Sequence, residues 1–414
     1  MISADQALKI VVENVQPTGV ERVFIREALG RVLGEPIYAP RDVPSFDNSA
    51  MDGFAVRSGD LAQASRERPA KLKVVETIAA GCVPKTELGP GLAARIMTGA
   101  PIPYGADAVV PVEQTRSSDD VVEVLVSVNS GWCIRRRGED LREGKLILLA
   151  RRRLRAADVG LLASLNRSMI DVYRGPRVAI VCTGDELVDI DQQPSGAQVV
   201  NSNAYGLAAA ISEAGGEATL LRVARDRPPE IRERFCEALC CDVIVSTGGV
   251  SVGQFDHVKQ VLRELGMREL FHGVAQRPGR PLMFGLLEER PVFGLPGNPV
   301  SALVCFELYG GPALRKMGGR EDFWLPRVTA LCAQEIKSAA NLTEFIRVRI
   351  ERRNGELYAA PSGEQGSAVL SALSRADGLL IGPAEKTSLP RGSQVEVLLL
   401  SSEAALRCSE GFEA

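Results

Sequence analysis

The sequence is poor in the residues that most zinc and nucleophilic centres use. Only two histidines occur in 414 residues, His257 and His272, and none of the nine cysteines forms a C-x-x-C pair. We therefore expect neither a His/Cys zinc site nor a Ser-His-Asp triad, although His257 follows Asp256. The cysteines are expected to be buried structural thiols. Metal or acid–base chemistry then has to rest on Asp, Glu, Lys, Arg and backbone groups, which favours a hard cation such as Mg²⁺.

The chain also lacks an excess of charge and a long apolar run. A formal net charge of −3 gives no indication of nucleic-acid binding. No apolar run of about 18 residues occurs, so no membrane-spanning helix is expected. The opening MISADQALKI lacks the basic and apolar regions of a secretion signal. We therefore expect a cytoplasmic protein with no nucleic-acid or membrane partner, and 414 residues predict more than one domain.

The first third of the chain changes pattern twice. Ser3 and Gln6 form a capping box that predicts a helix at the start. Residues 71–128 contain short alternating apolar runs separated by Gly/Pro turns, which predict a small β-rich domain. A helical pattern returns at 156–165. We interpret the β region as an insertion in a split helical domain.

From residue 175 onward, strand and helix patterns alternate and predict a doubly wound parallel sheet. The predicted strands are 178–182, 219–223, 243–247, 281–285 and 292–295. The predicted helices run from Asn201 or Ser202 to Ile211, from Pro228 to Leu239, and from an Asn298 cap through Pro299 to Leu308. The remaining chain predicts a separate β domain with strands at 328–336, 345–350, 356–360 and 395–400 and a short helix at 367–374.

Acidic residues follow three of the predicted parallel strands. Asp185 and Glu186 follow the first strand, Asp226 the second and Asp256 the third, which itself ends in Thr247-Gly248-Gly249. The carboxyl ends of parallel strands share one edge of a sheet, so these groups can converge. Carboxylates beside glycine turns suit Mg²⁺ and a phosphate ester. Each acid can equally be a helix cap, and the glycines a plain turn.

Arginines offer a further anion site. The RPGRP turn at 277–281 carries two guanidiniums that can hold an oxyanion, or it is an ordinary surface turn. The clusters at 135–137 and 151–153 are typical of solvated faces. The residues alone thus indicate an α/β enzyme that acts on a phosphorylated or nucleotide substrate with Mg²⁺. They leave the reaction open.

Longer blocks resemble the molybdopterin molybdenumtransferase family, which comprises the MoeA type and the gephyrin E domain. The blocks are FDNSAMDGFAV (46–56), IMTGAPIPYGADAVVPVE (96–113), RRRGEDL (135–141), CTGDEL (182–187), NSN (201–203), STGGVSVGQFDHVK (246–259), RPGRPLMFG (277–285), GLPGNPVSA (294–302), TEFIRVRI (343–350) and GEQGSAVLSALSRADGLL (363–380). They span nearly the whole chain in family order.

The resemblance implies a multidomain α/β plus β fold. It implies a split N-terminal helical domain (1–45 and 141–173), an inserted β-rich domain (46–140), a three-layer α/β nucleotide-type domain of the MoaB/Mog-like kind (174–324) and a C-terminal β barrel (325–404). It also implies a homodimer whose active site crosses the subunit interface. Further expected partners are the molybdopterin adenylyltransferase and molybdoenzyme chaperones.

The implied reaction inserts molybdate into adenylylated molybdopterin, releases AMP and yields molybdenum cofactor, with Mg²⁺ required. The substrate's dithiolene supplies the sulfur ligands, so the protein needs no Cys or His for molybdenum. The alternatives are the adenylyltransferase that makes the intermediate, and a non-enzymatic scaffold of the gephyrin E type.

The resemblance also implies roles for individual residues. The implied catalytic residues are Asp52, Thr98, Asp140, Glu186 and Asp256. The implied substrate-binding residues are Thr247, Gly248, Gly249, Ser251, Arg277, Arg280, Pro296, Pro299, Arg347 and Ser367. The implied metal ligands are Glu186, Asp226 and Asp256. The chain departs from the family pattern at Arg277 and Arg280, where lysines are common, at Phe54, where tyrosine is common, and at Arg227, where a second acid is common.

Overall fold

The computed structural model describes residues 1–249, 257–338 and 341–401. These fall into two compact units: residues 1–34, 151–156 and 169 onward form the first, and residues 35–150 and 157–168 form the second. Each unit is described by itself. Within the described ranges, no helix has the length and apolar character needed to cross a bilayer.

A six-stranded sheet forms the centre of the first unit. In spatial order its strands are Glu217–Leu220, Arg177–Cys182, Val243–Thr247, Arg290–Leu295, Met283–Leu287 and Arg268–His272. The first four are parallel, and Met283–Leu287 runs antiparallel to both of its neighbours, so the prediction of a parallel sheet is wrong at this strand. The reason is a hairpin at Glu288 and Glu289, both with positive φ, which joins two neighbouring strands directly. The strand predicted at 219–223 lies at Glu217–Leu220.

Side chains of the central strands alternate between two buried layers. Val178, Ile180 and Val245 face one apolar cluster, whereas Val181 and Ile244 face another. This alternation gives the sheet a helical layer on each face and confirms the three-layer α/β architecture. The helices of the unit are Ala4–Glu13, Ser202–Glu213, Pro228–Ala238, His257–Glu264, Pro299–Cys305 and Gly311–Met317, the last two joined by a π-helical turn at Phe306–Gly310.

Helix starts follow their predicted caps with one exception. Ser3 and Gln6 form the capping box, and the Asn201 side chain accepts a hydrogen bond from the Ala204 N–H at 3.3 Å. Asn298 occupies the N-cap position of the helix Pro299–Cys305, but its side chain makes no cap hydrogen bond. It donates instead to Ser367 Oγ at 3.2 Å.

The C-terminal β domain is a closed barrel, as the resemblance implied. Its strands pair in the order Thr343–Arg353, Glu356–Pro361, Arg327–Cys332, Gln394–Leu399 and Gly378–Gly382, and the last pairs back with the first. The prediction missed Gly378–Gly382 and placed one strand over 328–336, where two occur. Shorter elements are Gln276–Arg277, Ile336–Lys337, Ser388–Leu389 and the helix Leu370–Ser374.

The second unit is built on another six-stranded sheet. In spatial order its strands are Ala108–Pro111, Gly53–Val56, Leu92–Ile96, Ala70–Ile78, Val121–Val124 and Thr115–Ser118. The small pairs Asn48–Ser49 with Ile134–Arg135 and Ile37–Tyr38 with Leu146–Leu148 border it. Phe54 is 3% exposed in its core. A tyrosine hydroxyl there would need a buried partner, so phenylalanine suits the site.

Chain segments from both sides of the insertion pair directly. The strand Val20–Phe24 runs antiparallel to Met169–Tyr173 in the first unit. The helix Ala4–Glu13 packs into the α/β core, while the helix Ala156–Ser164 lies in the second unit from residue 157 onward. The fold class is therefore that of the expected split domain with a β insertion. The four predicted domain boundaries stay predictions.

The buried-thiol expectation holds for part of the cysteine set. Cys182, Cys241, Cys305 and Cys332 are buried, and burial raises the pKa of the Cys182 thiol to about 11. The expectation is wrong for Cys82, Cys236 and Cys240, which are exposed because they lie on a surface loop and at the outer end of a helix.

Candidate active site

A cavity of about 760 Å³ opens at the carboxyl edge of the α/β sheet. Its walls come from the segments that follow the four parallel strands, where open α/β sheets bind ligands. The lining residues are Thr183, Gly184, Glu186, Leu187, Val199, Val200, Asn201, Ser202, Asn203, Asp226, Gly248, Gly249, Pro281, Pro296, Gly297, Asn298 and Pro299. Six predicted site residues line it: Glu186, Asp226, Gly248, Gly249, Pro296 and Pro299.

The turn Thr247-Gly248-Gly249 requires its glycines. Gly248 has a φ of 93°, and a Cβ there would come within 2.6 Å of the Thr183 carbonyl oxygen. Any side chain would therefore push the turn away from the neighbouring strand end. Thr247 is buried beneath the cavity, at 2% exposure. The predicted residues Ser251 and Asp256 lie outside the described residues.

Asn203 is a cavity residue to which the sequence reading assigned no role. Its Nδ2 donates to Thr247 Oγ1 at 2.8 Å and to the Gly297 carbonyl at 2.7 Å. The only local signal was the block NSN at a predicted helix start, which the helix cap at Asn201 already explains. Thr183 and Asn298 were missed for a similar reason, since both lie in turns with no periodicity.

Two carboxylates at the cavity repel each other. Burial is the main cause that raises the pKa of Asp226, and the charges of Glu186 and Asp185 raise it further. A divalent cation would relieve this repulsion, so the pair fits a hard oxygen-liganded ion. In the described part of the chain, no three His, Cys, Asp or Glu side chains are grouped as a metal site.

A loop of the barrel reaches the rim of the cavity through Ser367. Its Oγ accepts from Asn298 Nδ2, and its carbonyl accepts from the Val300 N–H at 3.2 Å. Arg347 lies behind this loop at 1% exposure, and its Nη2 donates to the carbonyls of Glu364 and Gly366 at 3.0 and 3.2 Å. The structure therefore places Ser367 at the rim and Arg347 as a support of the loop that carries it.

The RPGRP turn borders the cavity through Pro281. The side chain of Arg277 is 56% exposed, and its Nη1 lies 3.6 Å from Glu344 Oε1. The Nε of Arg280 donates to Met1 Sδ at 3.2 Å. Both guanidiniums are outside the described cavity lining, so an oxyanion contact from either stays a prediction.

In the second unit, Asp52 and Thr98 form a tight pair. Asp52 Oδ1 accepts from the Thr98 N–H and from Thr98 Oγ1, both at 2.7 Å, and these bonds lower the pKa of the exposed carboxylate. Gly53 is required next to it, because a Cβ would come within 2.1 Å of the Val110 carbonyl oxygen. Asp140 is exposed, and its backbone N–H donates to the Val43 carbonyl at 3.1 Å.

Family models match three consecutive parts of the chain. Residues 2–166 match the MoeA N-terminal region (domain I and II). Residues 179–316 match the probable molybdopterin binding domain. Residues 329–400 match the MoeA C-terminal region (domain IV).

Whole-chain relatives agree with these matches. A molybdopterin molybdenumtransferase of Nostoc sp. is 38% identical over 92% of this chain and 88% of the relative. Another, from Bacillus subtilis, is 34% identical over 97% of this chain and 95% of the relative. The crystal structure of a molybdopterin biosynthesis MoeA protein from Pyrococcus horikoshii has 33% identity and a TM-score of 0.84, and the match covers 97% of this chain and 100% of that one. The chain belongs to the molybdopterin molybdenumtransferase family.

Proposed function

We propose that this chain inserts molybdenum from molybdate into adenylylated molybdopterin and releases AMP. The observation that carries the proposal is the cavity of about 760 Å³, where glycine turns and two carboxylates meet at one sheet edge. Its size suits a nucleotide-sized ligand. The pterin dithiolene brings its own sulfur ligands for the metal. A chain with only two histidines therefore suffices.

The residues divide the work by their chemistry. The backbone at Gly248 and Gly249 lets a phosphate approach closely, because no Cβ stands in the way. Glu186 and Asp226 would hold Mg²⁺, which supplies charge neutralisation at the phosphate bridge when it is bound. Pro296 and Pro299 give a rigid wall in the neighbouring turn. The Ser367 hydroxyl is available at the rim as a neutral hydrogen-bonding group.

The oxyanion end of the reaction needs cationic groups. Arg277 and Arg280 are proposed as molybdate contacts, since guanidinium groups hold oxyanions through paired N–H donors. Their planar shape differs from that of the lysines common in the family, so the affinity for molybdate is expected to differ as well.

Asp52, Thr98 and Asp140 are proposed to act in the site of a second subunit. The exposure of Asp52 supports this, because its carboxylate is fixed by Thr98 yet open to an incoming group. The protein would then be a homodimer in the cytoplasm. Contacts with the adenylyltransferase that supplies the substrate and with chaperones of molybdoenzymes would complete its partners.

The test is a product assay on the purified protein. Adenylylated molybdopterin, molybdate and Mg²⁺ should give AMP and a cofactor that activates an apo-molybdoenzyme. Omission of Mg²⁺ or of molybdate should stop AMP release. A folded protein that releases no AMP, or that consumes ATP with free molybdopterin instead, would refute the proposed reaction.

A further inference from the structure

The Asn203 side chain connects three segments that are distant in sequence. It is the second residue of the helix Ser202–Glu213, and it reaches the end of one strand and the turn after another. Both protons of its amide are used, one on Thr247 Oγ1 and one on the Gly297 carbonyl. The orientation of the amide is fixed, because a flip would set its oxygen against the Gly297 oxygen. We call this contact the Asn203 bridge.

Thr247 extends the Asn203 bridge beneath the cavity. Its Oγ1 donates to the Pro296 carbonyl at 3.3 Å, so one buried hydroxyl links both turns. The turns also touch directly: a Cβ on Gly297 would lie 3.7 Å from Gly248 Cα. The backbone adds one bond, from the Gly248 N–H to the Leu295 carbonyl at 3.3 Å. Side-chain bonds from Asn203 and Thr247 therefore join the two turns beyond the last ladder pair, Thr247–Leu295.

The amide oxygen of Asn203 takes no part in the Asn203 bridge. Asn203 Oδ1 is buried and has no hydrogen-bond partner in the described part of the chain. The same holds for Thr183 Oγ1, whose residue is 4% exposed and lines the cavity as well. Buried polar atoms are normally paired, so the lack of partners for these two atoms among the described residues is a feature of the site that its fold does not account for.

We propose that Asn203 is a positioning residue of this site, holding the Thr247–Gly249 turn against the 296–299 turn so that both meet the same ligand. The inference rests on the proposed function, because the ligand is taken to be the adenylate part of the substrate. Asn203 acts through the two turns and does not touch the reacting atoms.

The test compares AMP binding and turnover in a set of variants. Asn203→Ala removes both hydrogen bonds of the Asn203 bridge, whereas Thr247→Val removes the bond to Thr247 together with the Thr247–Pro296 bond. Each should weaken AMP binding roughly ten- to hundredfold, as expected for the loss of one to two hydrogen bonds at a preorganised site. The loss in the double variant should be smaller than the sum of the two single losses, because both variants break the Asn203–Thr247 bond. Thr247→Ser keeps the hydroxyl and should recover most of the AMP binding that Thr247→Val loses.

A matched control lies on the same helix. Ser212→Ala removes an exposed hydroxyl that bonds only to its own helix, at the Ala208 carbonyl, and should leave AMP binding unchanged. Binding is measured well below the melting temperature of each variant, so that a purely structural role would not alter it. Wild-type AMP affinity in Asn203→Ala, or fully additive losses in the double variant, would overturn the inference.

A readout without ligand separates this inference from the proposed function. In Asn203→Ala, the backbone amides of residues 247–249 and 297–298 should exchange hydrogen faster than in the wild type, whereas exchange in the strand Arg177–Cys182 should not change. Unchanged exchange would overturn the Asn203 bridge even if the enzyme is active. If the wild-type protein releases no AMP but exchange in the variant rises, the reaction is wrong and the bridge is supported.

Discussion

Asp226 and Asp52 are held in opposite ways. Asp226, at the cavity of the α/β domain, is partly buried beside Glu186 and Asp185, and its pKa is raised. Asp52, in the inserted domain, is exposed and accepts two hydrogen bonds from Thr98, and its pKa is lowered. One carboxylate is destabilised in its charged form by the fold, whereas the other is stabilised by it.

This difference indicates what each region lacks. The cavity carboxylates have negative charge in excess, so a cation or a protonated ligand group would complete them. Asp52 Oδ1 already accepts two hydrogen bonds from Thr98, and among the described residues no hydrogen bond is formed by its second oxygen. The cavity carboxylates thus favour a bound cation. In the second unit, the hydrogen bonds from Thr98 hold the exposed Asp52 carboxylate in place.

Removal of charge at the cavity should have the largest effect on the reaction. In Glu186→Gln or Asp226→Asn, turnover should fall about a hundredfold or more, as expected for the loss of a preorganised electrostatic contact. The stability at pH 7 should stay equal or rise in Asp226→Asn, because a carboxylate with a raised pKa costs the folded state stability above that pKa. Thermal unfolding and AMP release are measured on the same samples.

Glu289→Gln is the control for that experiment. Glu289 is an exposed carboxylate in the hairpin of the same sheet, away from the cavity lining. It should match wild type in both assays. If the melting temperature of Glu186→Gln or Asp226→Asn drops clearly together with turnover, Glu186 and Asp226 have a structural role. Asp226 would then not differ from Asp52 in the way described.

Local patterns were enough to predict the sheet edge but not its connections. Strands 178–182 and 243–247 and the glycine turn could be predicted because each depends on neighbouring residues. The contact of Asn203 with Gly297 spans 94 residues, and no periodicity encodes such a pair. The hairpin at Glu288-Glu289 lacks the Asn-Gly or Gly signal of tight hairpins, so the strand predicted at 281–285 was expected to be parallel.

The site residues also differ in whether local patterns or distant contacts determine their positions. Glu186, Asp226 and the glycines could be placed at the cavity because strand ends converge in any parallel sheet. Arg347 could not be placed, because its burial depends on a barrel loop that folds over it. A sequence block names such a residue without indicating whether its side chain faces a ligand or the protein.

A mixing experiment tests whether Asp52 serves the cavity of another subunit. Asp52→Ala and Glu186→Gln should each be nearly inactive alone. An equal mixture that has exchanged subunits should regain roughly a quarter of wild-type activity, because about half of its dimers carry one subunit of each kind and each of these has one intact site of two. Asp52→Asn should keep the turn, since Oδ1 remains an acceptor for Thr98, yet lose activity with the charge. Two Glu186→Gln preparations mixed with each other are the control. If subunit exchange is demonstrated and no activity is recovered, then Asp52 and Glu186 either act in a site formed by one subunit or do not share a site.

The smallest effect on turnover is expected from a change at Glu307. This buried carboxylate has neither the role proposed for Asp226 nor that proposed for Asp52. Burial raises the pKa of Glu307 from 4.5 to about 7, although Arg315 lies 3.8 Å away. The folded state thus binds this proton more tightly than the unfolded state. Its contribution to stability is full below about pH 4.5 and is lost as the pH rises to about 7.

Glu307→Gln should remove this pH dependence and leave the cavity intact. Between pH 4.5 and 7, the free energy of unfolding of the wild type should fall relative to that of the variant by on the order of 1–3 kcal/mol. Denaturant titrations at several pH values measure it, and AMP release at pH 7 should be within a few-fold of wild type. If the free energy of unfolding depends on pH in the same way in the wild type and in Glu307→Gln, Arg315 keeps Glu307 charged throughout. Burial would then not explain the difference between the carboxylates of this domain and Asp52.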